Sequence, residues 1–138
     1  MIVSGAMARG GFFAVDSLTS THILVVDDDA SFRDVLVSIL RYCGALVTAV
    51  AAPDDAITTM DQIKPDVVVI TFSAQRGTAG LPARVRARKP EDGGNVPIVA
   101  VVRAGAAAGL PEGCNVRLDE PLNPWELCRE ISSLVSAN

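Results

Sequence analysis

Three consecutive carboxylates, Asp27, Asp28 and Asp29, follow an apolar, mostly β-branched run at residues 23–26. Such a run predicts a strand that is buried on both faces, as in a parallel sheet covered by helices. Ligands of open parallel sheets bind beyond the carboxyl ends of the strands, where these acids lie. Two interpretations stay open. Asp29 caps the next helix with its neighbours near the positive helix end, or the acids supply oxygen ligands to a divalent cation such as Mg²⁺.

The rest of the chain lacks the usual signals of an enzyme. His22 precedes the strand and is badly placed as a base, and neither a Gly-rich phosphate loop nor a nucleophile elbow is present. We therefore expect no enzymatic activity, with a small metal-dependent phosphatase that uses the acid pair as the alternative.

Composition limits the partners and the compartment. A net charge of −4 over 138 residues disfavours nucleic acid as a partner, since phosphate backbones require a basic surface. No apolar run approaches the roughly 20 residues needed to span a membrane. Three cysteines without metal-type spacing (Cys43, Cys114 and Cys128) indicate reduced thiols and a cytoplasmic protein.

Strand and helix patterns alternate five times along the chain, which predicts an α/β fold with a doubly wound parallel sheet. Apolar runs mark strands at 23–26, 46–50, 66–71, 96–102 and 116–118. Helical spacing or caps mark helices at 30–43, from Pro53 to 63, from Pro82, over about two turns within 103–113, and from Pro124. Residues 1–20 show no period and lack the features of a signal peptide, so we expect a flexible arm before a domain at 21–136.

Four segments carry a resemblance to a known family: 23–28, 65–71, 96–102 and 118–127, the last with the sequence Glu-Pro-Leu-Asn-Pro at 120–124. In order and spacing they resemble the receiver domain of response regulators over residues 21–136. The resemblance implies a five-stranded flavodoxin-like fold with strand order 2-1-3-4-5. It also implies a pocket in which two acids hold Mg²⁺, an aspartate accepts phosphoryl from a histidine kinase, and a hydroxyl and a lysine sense the phosphoryl oxygens.

Position by position, this chain keeps only part of that pocket. Asp27 and Asp28 match the metal-binding acids, but the acceptor position is Thr71, whose hydroxyl is a weak nucleophile without an activating base. The family's switch positions are also changed, to Val102, Arg117 and Glu120. Glu120 reverses the charge of the lysine and would repel a transferred dianion by about 1–4 kcal/mol. The resemblance therefore implies a degenerate receiver that requires no cofactor and binds Mg²⁺ weakly at best.

The role of Glu120 has three alternatives. It joins Asp27 and Asp28 around a cation, or the three acids repel each other and one takes up a proton. In the third alternative, Glu120 turns outward to an arginine such as Arg103 or Arg117.

Family members bind partners and dimerise through a face formed by the fourth helix, fifth strand and fifth helix. Here the interval from Val102 to Glu120 is about one helical turn shorter than in typical receivers, and Trp125 lies near the start of the last helix. Trp125 either anchors a partner or covers the edge of the core.

The resemblance thus implies an atypical receiver of bacterial two-component signalling that acts as a phosphorylation-independent interaction module. Its expected partners are a histidine kinase, an output or scaffold protein, or a second copy bound through that face. The alternative within signalling is a phosphorelay receiver that uses Asp27 or Asp28 as acceptor.

Overall fold

The computed structural model describes residues 17–73 and 78–136 of the chain. Five strands are formed: β1 (His22–Val26), β2 (Leu46–Val50), β3 (Val67–Phe72), β4 (Ile98–Val102) and β5 (Val116–Asp119). Four α-helices connect or follow them: α1 (Ala30–Tyr42), α2 (Pro53–Met60), α3 (Leu81–Arg86) and α4 (Pro124–Ser136). A 3₁₀ turn at Pro90–Asp92 follows α3.

All strand pairs are parallel, and the strand order is β2-β1-β3-β4-β5. The predicted doubly wound α/β fold and the order 2-1-3-4-5 are therefore confirmed. β3 and β4 are buried along their whole length, as expected for central strands that are covered on both faces. The carboxyl ends of β1, β3 and β4 consequently meet at one edge, where the residues of the candidate site follow them.

Helices cover both faces of the sheet. The apolar stripes of α1 and α4 pack on one face through Leu36, Leu40, Leu127 and Ile131. Those of α2 and α3 pack on the other through Ala56, Met60, Leu81 and Val85. Within the described residues, no helix has the length and apolar character needed to cross a membrane.

Side-chain caps fix where two helices begin. Asp29 Oδ1 accepts hydrogen bonds from the N–H groups of Ser31 (3.0 Å) and Phe32 (3.3 Å) at the start of α1. Asn123 Oδ1 accepts hydrogen bonds from the N–H groups of Trp125 (2.9 Å) and Glu126 (3.2 Å), the second and third residues of α4. Both caps satisfy donors that a helix end leaves without a partner, and the capping interpretation of Asp29 is confirmed.

The predicted helix within 103–113 is wrong, because the structure has only turns and bends there. Gly105, Gly109 and Gly113 adopt φ angles of 92°, 92° and 88°. These left-handed values are open to glycine and break a right-handed helix. The alanines between them favour a helix, but three left-handed residues in nine positions leave no room for one. The described residues therefore form four α-helices, and α4 takes the place that the resemblance assigns to a fifth helix.

The expected arm over residues 1–20 falls largely outside the described residues. Within its described part, residues 17–20 form a turn, Leu18 is fully buried, and its N–H donates to the carbonyl oxygen of Cys43 (2.9 Å). Leu18 thus belongs to the core beneath α1 and α4. The division into an arm and a domain stays a prediction.

The expectation of three reduced thiols is wrong for two of the cysteines. Cys43 at the end of α1 and Cys128 in α4 form a disulfide, while Cys114 is free and buried. The pair is 85 residues apart in sequence, and only the packing of α1 and α4 on the same sheet face brings the sulfurs together. Burial raises the pKa of the Cys114 thiol to about 11, so this thiol is inert at neutral pH.

We expect Leu18→Ala to lower the free energy of unfolding by about 2–5 kcal/mol, because it leaves a cavity in a closed part of the core. The matched control Leu110→Ala removes the same atoms from a side chain that is 53% exposed. It should change the stability by less than about 0.5 kcal/mol. Urea unfolding followed by circular dichroism measures both, and equal effects would contradict the placement of Leu18 in the core.

Candidate functional site

The acids that follow β1 differ in their surroundings. The Asp27 side chain is fully buried, and its Oδ1 accepts a hydrogen bond from the Asp29 N–H (2.8 Å). Within the described residues, Asp27 Oδ2 is buried without a hydrogen-bond partner. Asp28 is exposed, and Arg33 Nη1 donates to the backbone oxygen of Asp27 (2.7 Å). One carboxylate oxygen of Asp27 thus remains available inside the pocket.

Thr71, which the resemblance places at the phosphoacceptor position, directs its hydroxyl at the backbone of β1. Its side chain is 1% exposed, and Oγ1 donates to the carbonyl oxygen of Val26 on the neighbouring strand (3.4 Å). The carbonyl oxygen of Thr71 accepts a hydrogen bond from the hydroxyl of Thr78 (2.7 Å). Among residues 17–73 and 78–136, no side-chain base forms a hydrogen bond with this hydroxyl, so none of them activates it as a nucleophile.

Arg103 spans the opening of the pocket. Its Nη1 donates to Asp29 Oδ2 (2.8 Å), and its Nε donates to Glu120 Oε2 (3.1 Å). The guanidinium lies over the ring of Phe32, 4.5 Å from the centroid, within the range of a cation–π contact. Its side chain is 25% exposed, so the two ion pairs are partly shielded from water. Asp29 follows β1 and Glu120 follows β5, so a single side chain joins two strand ends across the sheet edge.

Glu120 adopts the third of its three alternatives, the pairing with Arg103. Its second carboxylate oxygen accepts a hydrogen bond from the Ala104 N–H (3.3 Å), and its own N–H donates to the carbonyl oxygen of Val102 (3.1 Å). The Glu120–Pro121 peptide bond is cis. Both carboxylate oxygens of Glu120 are therefore held by the start of the segment that follows β4.

The other two switch positions do not form a phosphoryl-sensing pair. Val102 is buried at the end of β4 and has no polar side-chain atom. Arg117 donates through Nη1 to the carbonyl oxygens of Ala107 (2.9 Å) and Gly109 (2.6 Å), and its Nη2 pairs with Asp119 (2.8 Å). Arg117 thus fastens the segment 103–110 to β5, where the resemblance implies a mobile aromatic ring.

Trp125 lies on the surface at the start of α4, apart from the acidic pocket. It is 38% exposed, and its ring lies 6.4 Å from that of Tyr42, with the planes tilted by 56°. Tyr42 is itself 62% exposed. The two rings form a small exposed aromatic surface between α1 and α4.

The donors of the pocket fit a magnesium ion incompletely. Asp27 Oδ2 could serve as one ligand, and Asp28 lies beside it, but the third carboxylate of the family is replaced by Thr71. Asp29 and Glu120 are occupied by Arg103. Within residues 17–73 and 78–136, no three His, Cys, Asp or Glu side chains are placed to hold one metal ion.

The arginine alters the acid–base behaviour of the site. The hydrogen bond from Arg103 is the largest cause that lowers the pKa of Asp29 below its ordinary value of 3.8, with the Phe32 N–H contributing next. In turn, Asp29 and Glu120 raise the pKa of the Arg103 guanidinium. Asp29 and Arg103 therefore both carry their charge at neutral pH. The sequence analysis named Arg103 only as one candidate partner of Glu120, and no local pattern indicates its pairing with Asp29, 74 residues away.

The chain is similar to proteins of known family. It is 29% identical over 133 residues to the probable transcriptional regulator ycf27 of Guillardia theta, covering 94% of this chain and 51% of that protein. It is 30% identical over 121 residues to an uncharacterized 14.6 kDa protein of Leptolyngbya boryana, covering 85% of this chain and 92% of that protein. The chain thus spans about half the length of the transcriptional regulator. No protein-family model matches it.

Solved structures give the same fold. A putative response regulator from Chloroflexus aurantiacus superposes with a TM-score of 0.74 at 25% identity, over 84% of this chain and 98% of that one. The receiver domain of a sensor histidine kinase from Pseudomonas aeruginosa, with a magnesium ion in its active-site cleft, gives 0.70 at 25% identity. That match covers 84% of this chain and 98% of the other.

We expect Arg103→Gln to raise the pKa of Asp29 towards 3.8, which a ¹³C NMR titration of the carboxyl group measures. Because the folded-state pKa of Asp29 is depressed, its contribution to stability is full above the unfolded pKa and is lost as the pH falls through the folded value. Arg103→Gln should therefore destabilise the protein more at pH 7 than at pH 2.

The control for this variant is Arg84→Gln, which breaks an ion pair with an aspartate, Asp54, that is 87% exposed. It should have almost no effect at either pH. An unchanged Asp29 pKa in Arg103→Gln would show that the bridge does not form in solution.

Proposed function

Since this chain belongs to the response-regulator receiver family of two-component signalling, we propose that it acts as an interaction module whose state is not set by phosphorylation of the usual acceptor position. The affinity of binding would then be set by the identity of the partner and by the oligomeric state of the chain. The fold that the chain shares with solved receiver domains supports a role in two-component signalling. The changes at Thr71, Val102, Arg117 and Glu120 support the loss of the phosphoryl-dependent step.

The observation that carries this proposal is the Arg103 bridge between Asp29 and Glu120. In a phosphorylatable receiver, the charges of the pocket change when phosphoryl and Mg²⁺ arrive, and the protein responds to that change. Here a resident cation, the Arg103 guanidinium, already pairs with two carboxylates at the pocket opening. A transferred phosphoryl dianion would have to approach beside Glu120 and compete with both for the guanidinium. The charges of the pocket are therefore expected to stay the same during signalling.

The chemistry of the acceptor position supports the same conclusion. An acyl phosphate forms when a carboxylate attacks a phosphohistidine while cations neutralise the transferring oxygens. Thr71 offers a buried hydroxyl with a backbone hydrogen bond, and the lysine that would neutralise charge is a glutamate. Both the nucleophile and one of its cations are absent from these two positions.

The remaining acids are poor substitutes as acceptors. Asp27 is fully buried, so a phosphohistidine would have to open the pocket to reach its carboxylate. Asp28 is exposed, but the position at which a lysine would neutralise the transferring oxygens is Glu120. The same absence of a nucleophile and base weighs against a phosphatase activity, and we propose that the domain works by binding alone.

The surface proposed for partner binding contains Trp125 and Tyr42, whose rings lie 6.4 Å apart between α1 and α4. An exposed tryptophan with a second aromatic ring beside it provides the kind of anchor that dominates many interfaces. A histidine kinase, an output domain or a scaffold protein in the cytoplasm would be the partner. A receiver that lost the helix of the family's usual face is expected to select different partners through this surface.

Magnesium would be held by Asp27 and Asp28 if it binds. Mg²⁺ prefers near-octahedral oxygen coordination, commonly with several waters and one or two carboxylates. The acid pair therefore supports weak binding at most, and the proposed function requires no metal.

We expect no phosphoryl adduct on the wild-type chain after incubation with acetyl phosphate and Mg²⁺, measured by intact-mass spectrometry beside an ordinary receiver as positive control. Thr71→Asp alone should label poorly, because Glu120 and the bridged Arg103 remain. The triple variant Thr71→Asp, Glu120→Lys, Arg103→Ala should label to a far higher fraction, because it restores the nucleophile, the cation and access.

The wild-type outcome decides between the proposals. A stoichiometric adduct that maps to Asp27 or Asp28 would support the phosphorelay alternative and end the proposal of phosphorylation independence. An adduct on Thr71 would show that its hydroxyl is activated after all.

We expect Trp125→Ala to reduce capture of the signalling partner at least about tenfold, because it truncates the exposed aromatic anchor. Thr71→Ala should leave capture unchanged. Quantitative mass spectrometry of proteins retained by the immobilised chain, with the isolated partner then titrated by calorimetry, measures both. If Thr71→Ala lost binding while its fold stayed intact, the proposal that partner binding is independent of the acceptor position would be wrong.

A further inference from the structure

The two edges of the sheet are protected to different degrees. The β5 edge carries Arg117 and Asp119, and Arg117 binds the preceding loop across that strand's end. The β2 edge carries no charge, and residues 43–53 contain no charged residue and no proline before Pro53. Sheet edges in soluble proteins are usually blunted by charge, proline or a covering segment. Among the described strands, β2 pairs with β1 alone, so its outer side is open.

The outward hydrogen-bonding groups of β2 are identified by its pairing with β1. The Leu46 N–H donates to the carbonyl oxygen of Thr21 (2.9 Å), and the carbonyl oxygen of Val50 accepts from the Asp27 N–H (3.1 Å). Because the groups alternate along a strand, Leu46, Thr48 and Val50 face β1, whereas Val47 and Ala49 direct their N–H and C=O groups outward. Two donors and two acceptors are thus presented at this edge.

We propose that this edge binds a second copy of the chain, with the two β2 strands antiparallel about a two-fold axis at Thr48. In this register, Val47 of each copy opposes Ala49 of the other, and each such pair exchanges two N–H···O=C bonds. Each strand presents four outward groups, and the eight groups of the two strands are then paired in four hydrogen bonds. The two sheets join into one of ten strands.

The side chains fit this register as well as the backbone does. Leu46, which is 64% exposed, would lie opposite Val50 of the other copy, and Thr48 would lie opposite its own equivalent. A large residue, Val47, would meet a small one, Ala49. Apolar pairs and Thr–Thr pairs across antiparallel strands are favourable, and no like charges meet. The register therefore accounts for an exposed leucine on an uncharged edge.

A second copy is favoured over a foreign strand because the edge is complementary to itself. Each chain carries a net charge of −4, and contact through a stretch without charge is where two such chains can approach. Closed two-fold dimers are the commonest assembly of soluble proteins. Pairing of two short strands buries less area than a standard interface, so the dimer is weak and forms with rising concentration.

The experiment is sedimentation velocity of the full chain from about 10 μM to 1 mM, a range suited to weak association. The wild-type chain should shift from monomer towards dimer. Ala49→Pro removes an outward N–H that β1 does not use, a position at which an edge strand tolerates proline. It should lower the association constant at least about tenfold. The matched control Ala49→Ser keeps the N–H and a small side chain and should dimerise like the wild type, and circular dichroism checks both folds.

Cross-linking gives a second measurement that does not need proline to be tolerated. Under mild oxidation, Thr48→Cys should form covalent dimers, because the two-fold axis places equivalent side chains opposite each other. Leu46→Cys should not, although Leu46 is the more exposed residue and would react more readily in random collisions.

Three results would overturn the proposal. The first is a chain that stays monomeric at every concentration. The second is a dimer that survives Ala49→Pro but dissociates in Trp125→Ala, which would place the interface on the last helix. The third is preferential cross-linking of Leu46→Cys. None of these outcomes bears on phosphorylation, so the dimer and the proposed function are tested separately.

Discussion

The Arg103 guanidinium, held between Asp29 and Glu120, is the interaction on which the rest of the site depends. Asp29 can use one carboxylate oxygen to cap α1 and the other to bind Arg103, because Arg103 leaves β4 directly above Phe32 in the first turn of that helix. Glu120 completes the bridge at the end of β5. Arg103, which follows β4, thus connects the ends of β1 and β5 through one side chain.

The segment after β4 is also held in place by an arginine side chain. Three glycines with left-handed φ angles remove the helix that the alanines favour, and Arg117 then holds the resulting loop through two of its carbonyl oxygens. The resemblance to the family implies an aromatic ring at the position of Arg117 that moves on activation. A charged side chain with four hydrogen-bonding or ionic contacts to its own strand and the loop has little reason to move. Both ends of the expected switch are therefore tied down.

Apolar periodicity was sufficient to predict the strands, their order along the chain and the parallel sheet, because buried strands must be apolar throughout. The caps at Asp29 and Asn123 were also accessible, since a capping side chain bonds to backbone two or three residues away. Contacts between distant segments were not. The Asp29–Arg103 pair, the Cys43–Cys128 pair and the burial of Leu18 depend on tertiary packing that no local pattern encodes. The prediction of a helix within 103–113 was wrong because it gave more weight to the helix propensity of the alanines than to the left-handed conformations of the glycines.

The central claim is that the pocket has one charge state and does not respond to the ligands of a phosphorylated receiver. Its most direct test is ¹H–¹⁵N NMR of the chain before and after addition of Mg²⁺ and beryllofluoride, which mimics a bound phosphoryl group. We expect the amide signals of Asp29, Thr71, Arg103 and Glu120 to keep their positions, with only small shifts near Asp27 and Asp28. Saturable shifts that spread from Thr71 through Arg103 to Arg117 would contradict it, because they would show that the bridge opens and the segment beyond β4 moves.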